Sequence, residues 1–208
     1  MGNQICILCR GSSMEKADKY FHGIDGDMIA VNEFNVELKH DFVHRLFDNK
    51  NVIHLISRDT GLSNLNKEYY TKYGITEVIL NRFTEEASEC FGMKKLIESF
   101  GLKPSYLSSL LKPFQKEGGG FPTTGSIAIL YSTIVLGKKD IHIAGMDFYE
   151  TDYFNSIPAT IRNSIKRRKG KALKKFIIEF IRKHKDVNYT FYTNSDFNPN
   201  LKNITVIK

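Results

Sequence analysis

The sequence predicts an α/β protein: a single domain over residues 1–208 with a mainly parallel sheet and helices on both faces. Three observations predict it. Seven short apolar runs read as strands. Helical patterns fall between most of them, which is the signature of strands joined by crossover helices. And 208 residues, 41% hydrophobic and 25% charged, suit one core better than two.

The strand-like runs are QICILC (4–9), MIAVN (28–32), VIHLIS (52–57), TEVIL (76–80), DIHIAG (140–145), NYTFYT (188–193) and NITVI (203–207). Helical periodicity covers about 14–21, 36–48, 63–73, 84–100, 125–136 and 161–184. The first run leaves its strand through "RGSS". Gly11 permits a tight turn there, and Ser12 or Ser13 can cap the next helix. "DGD", Asp25 to Asp27, precedes the second strand and reads as a turn rather than a metal motif. His40 and His44 stand one helical turn apart with no third ligand, so a solvated helix face is expected. His54 and His142 lie within strands and read as structural. Residues 101–122 are the least regular stretch, with Pro104, Pro113 and the run Gly118–Gly120. They suit a short helix around "YLSSLLKPF" or a loop.

The stretch "GGGFPTTGSIAILYSTIVLG" invites comparison with a phosphate loop. Ser126 stands where that motif needs lysine, and no strand precedes it. It reads instead as a helix over 125–136, capped by Thr123 or Thr124 and ended by Gly137. Ile127, Ile129, Leu130, Ile134, Val135 and Leu136 surround its axis, so burial on all sides is expected. Its N-terminus offers backbone N–H groups to an anion.

The last helix carries Leu173, Phe176, Ile177, Phe180 and Ile181 on one stripe and Lys and Arg on the other. The cluster Lys166–Lys171 is denser than solubility needs and suits anionic lipid, a phosphate or nucleic acid. A net charge of +7 suits an anionic partner in general. Cys6, Cys9 and Cys90 give no disulfide framework and fit a reducing compartment. No signal peptide is expected in "MGNQICILCRG", and no run approaches the ~18 apolar residues of a membrane span.

Taken in order, "GSSM", "VNEF", "TTGSIAILYSTIVLGKKDIHIAGMDFY" and "KALKKFIIEFIRKHKDVNYTFYT" resemble the bacterial sialyltransferases of glycosyltransferase family 42. The helix–strand–GxDFY block is the most specific part. The resemblance implies a Rossmann-like domain that takes a CMP-activated sugar and transfers it to a glycan acceptor without a metal or other cofactor. It places Gly11 and Ser13 at the nucleotide's phosphate or ribose, and Asn32 at the phosphate or sugar. Thr124, Gly125 and Ser126 would hold the cytidine and donor. Tyr149 and Tyr153 would hydrogen-bond the departing phosphate. Three departures stand out. Arg10 replaces an Asn in the first turn, and Phe121 replaces an Arg before the Thr-Thr-Gly. The region before the last helix, "IRNSIKRRKG", lacks the family's catalytic His. Asp147, Glu150 and Asp152 are then the alternative bases.

The expected protein is therefore cytoplasmic, peripheral to the inner face of the membrane through segment 166–175, with homo-oligomers open. Nucleic acid ranks below a sugar nucleotide as partner. The rival readings are a non-catalytic anion-binding module and a nucleotide-binding relative that has lost transfer.

Overall fold

Each of the seven predicted runs forms a strand, and all of them run parallel. The computed structural model describes residues 2–32, 40–48, 50–56, 65–80, 91–107, 123–151 and 164–208. The strands are β1 (Gln4–Leu8), β2 (Gly26–Val31), β3 (Val52–Ile56), β4 (Glu77–Leu80), β5 (Ser105–Tyr106), β6 (Asp140–Ala144), β7 (Asn188–Tyr192) and β8 (Ile204–Ile207). They form one sheet in the order β5-β4-β3-β2-β1-β6-β7-β8. Every pairing is parallel. The two-residue β5 is the addition to the predicted set. It lies in the segment read as least regular and pairs Ser105 with Ile79 and Tyr106 with Leu80.

The central strands are buried along nearly their whole length, as a sheet covered on both faces requires. Alternate residues feed two cores. One face packs Cys6, Leu8, Met28, Ala30, Val52 and Ile56 under the four helices that follow the first four strands. These are α1 (Lys16–Tyr20, entered through a 3-10 turn at Ser12–Glu15), α2 (Asp41–Phe47), α3 (Lys67–Lys72) and α4 (Phe91–Ser99). The opposite face packs Ile5, Ile7, Ile29, Leu55, Ile141 and Ile143 under α5 (Thr124–Leu130) and α6 (Ser164–Lys183). Right-handed crossovers account for the division. The chain winds outward from β1 to β5 on one face. It returns over the other face through α5 to start β6 on the far side of β1.

The predicted stripe of α6 holds: Leu173, Phe176, Ile177, Phe180 and Ile181 are all buried. Helix α5 differs from its predicted form. All seven of its residues are buried, but Tyr131–Val135 continue it as a π turn. Ile134 and Val135 emerge 44% and 45% exposed, against the expectation of burial. The wider turn rotates these residues away from the sheet, where the hydroxyls of Ser132 and Thr133 bond back to the carbonyls of Ala128 and Ile129. The Pro- and Gly-containing segment after Leu107 lies outside the described residues until Thr123.

At the amino-terminal end of the sheet, the buried Lys138 Nζ donates to the Gly2 carbonyl at 2.9 Å and to Asp27 Oδ2 at 2.7 Å. The "DGD" stretch therefore anchors the bottom of β2, away from the carboxyl ends where ligands of such sheets bind.

Candidate functional site

The reversal of strand order falls between β1 and β6. In open parallel sheets the crevice beyond these carboxyl ends is the usual ligand site. Here the two exits are pressed together. Gly11 N–H donates to the Gly145 carbonyl at 2.8 Å, and Cys9 N–H to the Ala144 carbonyl at 2.8 Å. Gly145 takes φ +76°, and a Cβ on it would overlap the Cys9 carbonyl oxygen. A Cβ on Gly11 would lie 2.6 Å from both Asp147 Oδ2 and the Gly145 oxygen. Both glycines are required by backbone approach at the switch point.

Asp147 is the hub of this crevice. Its Oδ1 accepts from Ser13 Oγ at 2.6 Å, Thr193 Oγ1 at 2.8 Å and Asn194 N–H at 2.9 Å. Its Oδ2 accepts from Ser13 N–H at 2.8 Å, Thr151 Oγ1 at 2.8 Å and Ser12 Oγ at 3.2 Å. Six neutral donors from the exits of β1, β6 and β7 thus converge on one carboxylate. Burial pushes its pKa up, yet the bonds from Ser13, Asn194 and Thr193 outweigh that and hold it below the usual carboxylate range. So tied an anion is a poor proton acceptor. The suggestion that Asp147 serves as base is corrected on this geometry.

Glu150 is engaged as well. Lys174 of α6 bridges it to Asp196, and Glu150 Oε2 accepts the Asp196 N–H at 2.7 Å. Asp152, the third candidate base, lies outside the described residues, and so does Tyr153.

Between Asp147 and Glu150 the chain makes an uncommon turn. Phe148 and Tyr149 both adopt left-handed conformations, φ +50° and +62°. Two consecutive non-glycine residues there need outside support. Phe148 supplies part of it. Its ring is fully buried, stacked on Phe197 at 4.5 Å between centroids. Helix α6 supplies the rest. Gly170 packs so closely on the Phe148 carbonyl oxygen that a Cβ would overlap it, and Lys174 Nζ lies 5.5 Å from the Phe148 ring centre. Tyr149 is half-buried against this core.

The N-terminus of α5 forms the adjoining wall. Thr123 caps it, its hydroxyl accepting from Ser126 N–H at 3.3 Å while Ser126 Oγ donates back to the Thr123 carbonyl at 2.8 Å. Gly125 presses against the switch point: a Cβ on it would stand 2.8 Å from Cys9 Sγ and 2.9 Å from Met146 Cε. Thr124, Gly125 and Ser126 are all buried.

Asn32 ends β2, next to β1. It too is left-handed, with φ +58°. Its side-chain Oδ1 is buried without a hydrogen-bond partner.

The predicted residues that are described lie at the strand exits and the α5 N-terminus: Gly11 and Ser13 meet Asp147, two positions before Tyr149, and Gly125, between Thr124 and Ser126, meets Cys9 and Met146. Asn32 stands at the exit of the next strand. Gly11 and Ser13 have firm structural duties there: Ser13 is fully buried and directs both its donors at Asp147. Sequence reading did not single out Thr193, Gly170 or the hub role of Asp147. "AGMD" after an apolar strand was the available signal for the hub. Among the described residues no cluster of three or more His, Cys, Asp or Glu side chains is placed to hold a metal ion, and no helix is long and apolar enough to cross a membrane.

Fold and site define a doubly wound α/β protein with its crevice at the β1/β6 switch point. Solved sialyltransferases share that fold. The chain superposes on the sialyltransferase CST-II in complex with a trisaccharide acceptor and CMP with a TM-score of 0.54 and 15% identity, covering 99% of this chain and 95% of that one. Against CstII from Campylobacter jejuni in complex with a substrate analogue, cytidine-5'-monophosphate, the TM-score is 0.53 and the identity 16%, with 99% and 93% covered. No family model and no curated protein sequence matches the chain.

Proposed function

We propose that the protein is a glycosyltransferase that takes a CMP-activated sugar, sialic acid or a relative, and transfers it to a glycan hydroxyl without a metal. The observation that supports this reading is the close approach of Gly11 and Ser13 to Asp147, and of Gly125 to Cys9 and Met146, at the switch point of a fold shared end to end with CMP-bound sialyltransferases. Cleavage of the bond to CMP develops negative charge on the phosphate. In this reading the Tyr149 phenol, joined by Tyr153, donates to that charge, and backbone N–H groups at the α5 terminus hold the nucleotide. Thermal unfolding with CMP, CDP, UDP and GDP is the direct test. CMP at ~100 times its Kd adds about 2.7 kcal/mol. If no nucleotide raises the melting temperature, the proposal is lost. Sugar transfer that is undiminished by EDTA supports the metal-free arm, and transfer that needs added Mg²⁺ or Mn²⁺ refutes it.

A second reading is favoured by the state of the carboxylates. Asp147 is saturated and Glu150 is ion-paired, so neither is poised to deprotonate an acceptor. A protein that binds the nucleotide but no longer transfers would show the CMP response and no product with any glycan offered.

The proposal extends to location. The apolar stripe of α6 is buried on the sheet and leaves Lys169, Lys171 and Lys175 exposed. Segment 166–175 would rest on anionic lipid at the cytoplasmic face of the membrane. Salt-sensitive binding to phosphatidylserine vesicles tests it, and equal binding to neutral vesicles counts against it.

A further inference from the structure

Asn32 carries two anomalies at once. Its backbone is left-handed, a region that non-glycine residues seldom enter and that asparagine enters more readily than most. Its buried Oδ1 has no partner. Something must hold the first in place.

The holding groups are on β3. Asn32 N–H donates to the Leu55 carbonyl at 2.9 Å. The Asn32 carbonyl faces His54 Nε2 at 2.6 Å, and His54 Nδ1 faces the Tyr70 hydroxyl at 2.6 Å. A carbonyl can only accept, so Nε2 carries the proton. In the neutral ring Nδ1 then accepts from the Tyr70 hydroxyl. The ring is 1% exposed, and no ligand at the crevice need touch it. Tyr70, on α3, is itself braced by the Phe100 ring at 5.2 Å between centroids. A chain of contacts thus runs from the outer helices through one imidazole to the backbone of Asn32.

We propose that His54 is a positioning residue: through its Nε2–H bond to the Asn32 carbonyl it fixes the left-handed turn that presents the unpartnered Asn32 Oδ1 to the ligand. An orphan acceptor needs a donor. A fully ionised phosphate offers none, so the ligand group that meets Oδ1 is an O–H or N–H of the nucleotide itself, a ribose hydroxyl or the cytosine amino group. This rests on the reading of the crevice as a nucleotide-sugar site.

Titration calorimetry of the full chain with CMP provides the test, using His54→Leu, His54→Gln, Asn32→Ala and the double variant His54→Leu/Asn32→Ala. His54→Leu is expected to weaken CMP about tenfold, the worth of one ordered hydrogen bond. Gln keeps a side-chain N–H and is expected to recover most of the loss. In the Asn32→Ala background His54→Leu is expected to change nothing. Unaltered affinity in His54→Leu, or losses that simply add, would overturn the proposal. Two readouts need no ligand. The ¹⁵N spectrum of His54 in the unmutated chain is expected to show a neutral ring protonated at Nε2; an Nδ1-protonated ring overturns the assignment. The Asn32 carbonyl ¹³C resonance is expected to move in His54→Leu and return in His54→Gln, and an unmoved resonance also overturns it. If the unmutated protein binds no CMP, the nucleotide reading falls by itself, and the two spectra still decide the role of His54.

Discussion

Ser13 and Asp147, 134 positions apart in the chain, are joined twice: the serine N–H reaches Oδ2 at 2.8 Å and its hydroxyl reaches Oδ1 at 2.6 Å. This pairing fastens the turn after β1 to the exit of β6, and Thr193 and Asn194 fasten the exit of β7 to the same carboxylate. Three strand ends are therefore set by one side chain. Asn at this position would point an NH₂ group at donors. Asp147→Asn is expected to lower stability by about 2–4 kcal/mol in denaturant unfolding. A loss under about 0.5 kcal/mol would mean that the hub is not structural.

The pH dependence of stability should show His54. Burial presses its pKa from 6.5 down to about 4, against the opposing bond to the Asn32 carbonyl. Between those values the unfolded chain holds a proton that the folded chain refuses, so stability rises with pH across this window. It is complete above about pH 6.5 and is lost as pH falls toward 4, by roughly 3 kcal/mol at most. His142 is also shifted down by burial and contributes with the same sign. Asp147 acts lower: its depressed pKa gives stability that is present above the ordinary carboxylate range and lost as pH falls through its folded value. Denaturant titrations from pH 4.5 to 7.5 should show a slope that His54→Leu reduces but does not abolish. An unchanged slope in that variant would show that His54 is not the buried neutral ring described.

Gly170 tests how α6 controls the turn at Tyr149. A methyl group there would collide with the Phe148 carbonyl. On an exposed helix face, Gly→Ala stabilises by up to about 1 kcal/mol. Here the sign should reverse, with Gly170→Ala costing about 1–3 kcal/mol as the helix is pushed away. Thermal unfolding decides it, and a rise in melting temperature would show that the contact yields freely.

These three residues also mark what could be read from the chain. Strand periodicity, crossover helices and the α6 stripe depend on local pattern, so all seven runs and their parallel arrangement were legible. β5 was not: two residues after Pro104 carry no period, and their pairing comes from the neighbouring edge. The exposure of Ile134 and Val135 was hidden because a π turn shifts facing without any change in composition. At the β1 exit, the turn formed by Gly11 and Ser13 was legible through turn chemistry, while the ligand roles given to them and to Tyr149 come from resemblance to a family. The fate of Asp147 was not legible. A carboxylate after a strand reads equally as base or brace until its six donors are seen. The link from His54 to Asn32 joins two strands through a backbone carbonyl, and the residue string does not record it.

Tyr149 carries the chemical part of the proposed reading. Its φ of +62° follows another left-handed residue, Phe148, whose carbonyl is packed tightly on Gly170 of α6. Such rigidity suits a group that must meet charge as it forms, because a donor already in place needs no reorganisation in the transition state. Phe keeps the ring and its packing but removes the O–H. Tyr149→Phe is therefore expected to leave CMP affinity nearly unchanged while lowering transfer about 10²-fold or more. A fall in CMP affinity with kcat preserved would make the phenol a ground-state contact. Full transfer by the variant would remove Tyr149 from the mechanism, and the departing phosphate would then have to be met by other donors at the β1/β6 crevice.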